Sequence, residues 1–263
     1  MTATPVAPPR TLVEVRGVSK AFRTPRHQAV ALDDVSFDIR EGEFLSLLGP
    51  SGCGKSTMLK LIAGLEPASA GEIRIDGEGV RKPVTNVGVV FQDPVLLDWR
   101  SVLGNVMIQV DIRRLRGPEH RAYAEELLAK VGLAEFHDAW PSELSGGMRQ
   151  RVSIARSLVH RPPLLLMDEP FSALDALTRD SMNRLLHELW RTYRKTVLFI
   201  THSFSDAVLL SERVLVMSPR PGRIAEEIRI DLPVARDLAL RETPEFAAYT
   251  RRLREIFERM GVL

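Results

Sequence analysis

The residues in this chain best suited to chemistry form one run, Gly49-Pro50-Ser51-Gly52-Cys53-Gly54-Lys55-Ser56-Thr57. Its pattern is Gly, four residues, Gly, Lys, Ser/Thr. The apolar stretch Phe44 to Leu48 precedes it, and a helical pattern with Leu59, Ile62 and Ala63 on one side follows. Strand, glycine-rich turn and helix in that order make a cradle for phosphate. Glycines let backbone N–H groups close around phosphate oxygens, and the helix N-terminus adds partial positive charge. Lys55 has the reach for the β- and γ-phosphates, and the Ser56 hydroxyl suits Mg²⁺, a hard cation that prefers oxygen. Cys53 reads as a loop-lining residue. No base stands near it in sequence, so it is not read as a catalytic thiol.

Two further constellations carry chemistry. Leu164-Leu165-Leu166-Met167-Asp168-Glu169 is an apolar strand ending in two carboxylates. Carboxylates at the carboxyl end of a buried strand face the edge where α/β sheets bind ligands. Asp168 is placed to hold the Mg²⁺ shell, and Glu169 is the candidate general base for an attacking water. In Leu144-Ser145-Gly146-Gly147-Met148-Arg149-Gln150-Arg151, Ser145 and two glycines open a helix that carries Val152, Ile154, Ala155 and Leu158. This is a second anion-binding helix N-terminus. One chain seldom needs two, so the second suits a nucleotide held by another subunit.

The elements that must position these groups are legible in the hydrophobic pattern. Val13 and Val15, then Val35, Phe37 and Ile39, alternate with polar residues and predict half-exposed strands. Phe44 to Leu48, with Ser46 its one polar residue, Leu164 to Met167 and Val197 to Ile200 read as apolar runs, as parallel strands do when helices cover both faces. Met182, Leu185, Leu186, Leu189, Trp190 and Tyr193 fall at helical spacing, as do Phe246, Tyr249, Leu253, Ile256, Phe257 and Met260. Strands alternating with helices predict an α/β fold. The stretch from about 94 to 160 has no β-rich run in its first part and reads as an inserted α-helical subdomain. Its helical patterns lie at Val102 to Leu115 and Arg121 to Val131.

Composition excludes several classes. Net charge is only +2 with 27% charged residues, which argues against a nucleic-acid binder. One cysteine excludes a disulfide framework and predicts a reducing compartment. No stretch reaches the roughly 18 apolar residues of a spanning helix. Met1 to Pro9 is Pro/Ala-rich, lacks an apolar core, and reads as part of a disordered lead of residues 1–10. A main domain is expected over 11–235, and a C-terminal helical extension over 236–263.

Taken with its neighbours, Leu144 to Gln150 resembles the signature motif of the ATP-binding-cassette family, and other landmarks follow in that family's order. Gln92 resembles the Q-loop glutamine. Asp168-Glu169-Pro170 followed by Ser172-Ala173-Leu174-Asp175 resembles the second acidic motif and the D-loop. His202, after Val197 to Thr201, resembles the switch histidine, and Phe22 stands where the family stacks an aromatic ring, often Tyr, on adenine.

The resemblance implies a P-loop NTPase core, with a RecA-like parallel sheet and helices, plus an antiparallel β subdomain and the inserted helical one. It implies a head-to-tail homodimer holding two ATP. Each ATP would contact Lys55, Ser56, Thr57, Gln92, Asp168, Glu169 and His202 of one subunit, with Ser145, Gly146 and Gly147 of the other capping its γ-phosphate. Gln92 would join Ser56 and Asp168 on Mg²⁺, and Asp175 would lie at the nucleotide.

The same resemblance implies a transport ATPase, cytoplasmic and peripheral on the inner face of the membrane, working with transmembrane permease subunits and indirectly with a solute-binding protein. Asp93 to Arg100, with Leu96, Leu97 and Trp99 expected to be exposed, is the candidate docking surface for the permease. The run Phe91 to Leu97 and the segment Val208 to Ile224, with Ser218-Pro219-Arg220-Pro221-Gly222-Arg223, are similar to importers of the nitrate, sulfonate and taurine type. The chain departs from the usual pattern at Phe22, at Asp98, where Pro is frequent, and at Ser203, where Asp is frequent. The competing class is a non-transport cassette ATPase of DNA repair or translation. Repair types carry long coiled-coil insertions and translation types join two cassettes in one chain; neither feature is present.

Overall fold

The computed structural model describes residues 10–23 and 28–263. The lead expected to be disordered lies outside the described residues, save Arg10, whose guanidinium pairs with Asp76. Strands β1 (Thr11–Arg23) and β2 (Gln28–Arg40) pair antiparallel, and β3 (Phe44–Leu48) runs into α1 (Lys55–Ile62). Then come β4 (Ala70–Ile75), β5 (Glu78–Gly79) and β6 (Val87–Val90). Helices α2 (Val102–Ile112), α3 (Pro118–Lys130) and α4 (Gly146–Leu158) follow. The chain continues through β7 (Leu164–Asp168), α5 (Ala176–Tyr193), β8 (Thr196–Thr201), α6 (Phe204–Leu210), β9 (Arg213–Met217), β10 (Ile224–Arg229) and α7 (Pro244–Arg259).

Two sheets result. One is antiparallel with strand order β2-β1-β4-β5; the other has order β10-β9-β3-β8-β7-β6 and is parallel except for its β10 edge. The apolar runs read as buried parallel strands are β3, β7 and β8. Their alternation explains why nearly every interior position is apolar; the exception, Ser46 in β3, hydrogen-bonds the buried Ser211 hydroxyl. Phe44, Leu165, Met167, Val197 and Phe199 face a core shared with α2 to α5. Leu45, Leu47, Leu164, Leu166, Leu198 and Ile200 face a second core shared with α1 and the antiparallel sheet. At about 1.5–3 kcal/mol per fully buried side chain, both faces of each strand contribute.

The helical stretch shares the first core rather than standing apart. Val152, Ile154 and Ala155 of α4 pack with sheet residues, and Val102, Val106 and Leu127 of α2 and α3 pack over α4. Phe44, Phe199, Phe171 and Trp190 form an aromatic chain with ring centroids 5.6–5.9 Å apart. It locks α5 and the turn after β7 onto the sheet. A third core holds α6 and α7 against β9 and β10, with Phe204 edge-on to Phe257 at 4.8 Å.

Strands β4 and β9 were not read from the sequence as strands. In β4 only Ile73 is buried, so no alternation stands out. In β9 the first buried residue is Arg213, whose charge hides the pattern until Glu43 is brought to 2.8 Å from it.

Candidate functional site

Four neighbouring strands, β3, β8, β7 and β6, are parallel, so their carboxyl ends share one edge of the sheet. That edge is where open α/β sheets hold ligands. There β3 enters the phosphate loop, β8 reaches His202, β7 ends at Asp168 beside Glu169, and β6 leads to Gln92. Residues far apart in sequence meet because their strands are neighbours.

The phosphate loop is closed by its own lysine. Lys55, nearly fully buried, donates to the carbonyls of Gly49 (2.8 Å) and Pro50 (3.0 Å). Gly54 caps α1 at φ +107°, and a Cβ there would lie 2.7 Å from a Leu32 methyl and 2.9 Å from the Ala31 carbonyl. Only glycine fits that backbone and that space. Cys53 keeps its place in the loop, but its thiol turns inward into the core instead of lining the loop, and burial pushes its pKa up. The short, apolar-tolerant side chain fills the space beneath the loop.

Ser56 Oγ donates to Asp168 Oδ1 at 2.8 Å. Burial pushes the Asp168 carboxyl above its ordinary range, while the Ser56 hydrogen bond and Lys55 oppose the shift. Hydroxyl and carboxylate together present oxygen donors, and Gln92, which lines the same cavity as Ser56, carries a further amide oxygen. This donor set fits a hard divalent cation such as Mg²⁺.

Glu169 lies between Lys55 and His202. Its Oε1 is 3.5 Å from Lys55 Nζ, and its Oε2 is 2.9 Å from His202 Nδ1. The backbone there is left-handed, φ +43°, in a non-glycine residue. Its N–H donates to Ile200, and its carbonyl accepts from the Ser172 N–H and hydroxyl. These bonds hold a conformation that costs of order 1 kcal/mol and that turns Glu169 away from the course of β7. Ser203, next to His202, caps α6 by accepting from the Asp206 N–H, a task a serine hydroxyl performs as an aspartate would.

A cavity of about 420 Å³ gathers Ser51, Gly52, Gly54, Lys55, Ser56, Thr57, Gln92 and Glu169, together with Ala31 and Arg220. Several expected residues stand elsewhere. Ser145 is exposed and caps α4 through the Met148 N–H, and Gly146 and Gly147 follow it; none of them lines the cavity. Asp175 caps α5 by accepting from the N–H and hydroxyl of Thr178, bonds that lower its pKa. Phe22 is exposed on β1 with Lys20 Nζ 4.9 Å over its ring, in register with Ala29, two residues before Ala31. A larger cleft, about 950 Å³, opens at the other end of the sheet. Its four arginines are matched by four carboxylates, so it offers no net charge to select an ion.

The segment Asp93 to Arg100 is exposed at Val95 and Trp99, while Leu96 and Leu97 are half-buried. Two residues that the sequence reading passed over hold it in place. Asn105, fully buried on α2, accepts from the Leu97 N–H (2.7 Å) and donates to the carbonyls of Leu97, Arg100 and Ser101. Arg156 on α4 donates to the carbonyls of Pro94 (2.6 Å) and Val95 (2.8 Å), and burial pushes its pKa down. A polar residue among the apolar positions of a helix was the available signal for both.

Comparison with known proteins places these features in one context. A family model described as ABC transporter matches residues 32–172. A taurine import ATP-binding protein, TauB, of Rhizobium johnstonii is 50% identical, over 86% of this chain and 88% of that protein. An uncharacterized ABC transporter ATP-binding protein of Methanocaldococcus jannaschii is 43% identical, over 94% of this chain and 91% of that protein. Among solved structures, the dimeric structure of MJ0796, described as a bacterial ABC transporter cassette, superposes with a TM-score of 0.75. That cassette is 34% identical, and the match covers 84% of this chain and all of that one. A post-hydrolysis state of that cassette, bound to ADP and Pi, gives a TM-score of 0.74.

Proposed function

The chain belongs to the ABC transporter family, and from that premise we propose that it energises an importer of nitrate-, sulfonate- or taurine-type or other small organic solutes, with the taurine type favoured. Its activity is ATP hydrolysis coupled to transport across a membrane. The solute class comes from the likeness to TauB proteins of several organisms, at 42–50% identity. No helix among the described residues is long and apolar enough to cross a membrane. In this reading the solute path belongs to permease subunits, which the chain meets at the membrane's inner face, and a solute-binding protein delivers the solute to them.

The observation that carries the mechanism is the division of the site. The edge of the parallel sheet holds the phosphate loop, Asp168, Glu169, Gln92 and His202, while Ser145 to Gly147 open outward at the start of α4. Two chains arranged head to tail would bring each open helix N-terminus to the other's phosphate loop. Lys55 would then exchange its loop carbonyls for β- and γ-phosphate oxygens. Glu169 would orient and deprotonate the attacking water, and His202, already hydrogen-bonded to Glu169, would hold the γ-phosphate. Ser145 and the N–H groups of Gly146 and Gly147 would close over it from the partner. Mg²⁺, held by Ser56, Asp168 and Gln92, would neutralise phosphate charge. Positioning and charge stabilisation supply nearly all of such catalysis.

The test uses tagged Glu169→Gln protein with ATP, recovered from detergent-solubilised membranes of its own host and read by mass spectrometry. A multi-spanning membrane protein in about equal stoichiometry supports the transport role, and its neighbouring solute-binding protein is then titrated with taurine. Recovery of only soluble or nucleic-acid-associated partners would overturn the transport role.

A further inference from the structure

The segment Ser218-Pro219-Arg220-Pro221-Gly222-Arg223, which resembles that of one importer branch, joins β9 to β10 and brings a second cation to the nucleotide cavity. We propose that Arg220 is a nucleotide-binding residue that engages the phosphate chain of ATP from the solvent side of the phosphate loop. This rests on the reading of the cavity as the ATP site.

The loop is built against the phosphate loop. Gly222 donates its N–H to the Ala31 carbonyl at 2.9 Å and accepts from the Asp33 N–H at 3.0 Å. A Cβ on Gly222 would lie 2.0 Å from the Cys53 carbonyl oxygen, so only glycine permits the contact. At the base, the Ser218 N–H donates to the Arg223 carbonyl, and Ser218 Oγ accepts from the Arg223 N–H. The same hydroxyl donates toward the carbonyls of Pro219 and Pro221. Prolines on both sides of Arg220 restrict the backbone further. A turn so restrained holds its tip in one place and loses little entropy when the tip residue binds.

The tip is also uncompensated. Arg223 pairs with Asp33, whereas Arg220 has no carboxylate partner among the described residues and is exposed. Lys55 lines the same cavity, so two cations face one lining carboxylate, Glu169, which Lys55 and His202 already engage. Like charges gathered at a phosphate loop are relieved by a polyanion, and a guanidinium offers planar, paired donors to phosphate oxygens.

The test measures binding of MgATP and MgADP to the full chain by calorimetry, for wild type, Arg220→Ala, Arg220→Lys and Lys55→Ala. A charge-assisted hydrogen bond to phosphate predicts affinity about tenfold weaker in Arg220→Ala for both nucleotides. Arg220→Lys should recover part of it, and the gap should shrink as salt rises. The melting temperature without nucleotide should match wild type, because the guanidinium holds no part of the fold. Affinity within twofold of wild type in Arg220→Ala would overturn the proposal. So would a lowered melting temperature accompanied by an equal affinity loss in Arg220→Lys, since that pattern marks a role in loop structure. Lys55→Ala separates the two levels. If it leaves binding intact, the ATP site itself is misassigned; if it removes binding while Arg220→Ala does not, only the role of Arg220 falls.

Discussion

The phosphate-loop edge and the N-terminus of α4 are both anion-binding devices, and they are built in opposite ways. At the sheet edge Lys55, Glu169 and Asp168 already have partners within the chain. Lys55 holds two carbonyls and approaches Glu169, Glu169 holds His202, and Ser56 holds Asp168. At α4 only the Met148 N–H is capped, by Ser145, while Gly146 is exposed and Gly147 half-buried. The first site is preorganised by its own chain and, in the proposed function, would exchange partners when nucleotide arrives. The second has donors with nothing over them, and the fold does not bend back to cover it. In the proposed function, a general base on one side and an open anion cap elsewhere make each chain a half-site that a second chain completes.

The largest test of the contrast fills the open end. Ser145→Arg is expected to reduce hydrolysis to background while ATP binding, measured by fluorescent nucleotide titration, stays within a few-fold of wild type. Retained turnover, or activity from a preparation that stays monomeric with ATP, would mean that the sheet edge suffices alone. Next comes the wired end. Glu169→Gln should lower turnover by roughly 10²–10⁴-fold with binding intact, the range for a general base. Accumulation of an ATP-dependent dimer on size exclusion is the accompanying signal.

A smaller effect separates the site from the segment that would carry its message. Asn105→Leu leaves the Leu97, Arg100 and Ser101 groups without their buried partner and should cost about 2 kcal/mol in denaturant unfolding. Basal hydrolysis should survive, while recovery of the membrane partner should fall. An equal loss of both would tie the segment to the active site itself.

The smallest effect lies just beyond the far end of α4. Burial, with Arg113 nearby, lowers the pKa of His160 to about 4. A lowered histidine pKa means that the fold favours the neutral ring. Its contribution is therefore complete above about pH 6.5 and is lost as pH falls toward 4. His160 is only partly buried, so the contribution is on the order of 1 kcal/mol. Denaturation curves of wild type and His160→Gln should converge as pH drops from 7 to 4.5. Parallel curves would assign that pH dependence to other groups.

Much of this protein was legible because physics forces composition. A strand covered on both faces is apolar at nearly every interior position, so β3, β7 and β8 stood out. A backbone that wraps phosphate needs glycine where φ is positive, so the phosphate loop stood out too. Residues whose role depends on a distant partner were not legible. Arg213 looked wrong for a buried strand until Glu43 was beside it, Cys53 gave no sign that its thiol turns inward, and nothing near Asn105 in sequence shows the four backbone bonds it makes.

The sequence by itself determined the local devices: the cradle at Gly49 to Thr57, the carboxylates ending β7, the capped start of α4, and the family they mark together. Each depends on residue types a few positions apart, which chain geometry alone brings into register. Only the tertiary structure decided which devices share a site. Strand order β3-β8-β7-β6 assembles Lys55, His202, Glu169 and Gln92 at one edge and leaves Ser145 outside it. The same packing brings Arg220 to that edge through the contact of Gly222 with the Cys53 carbonyl. Strand order is set by the summed burial of both sheet faces, a property of the whole chain that no short stretch of sequence carries.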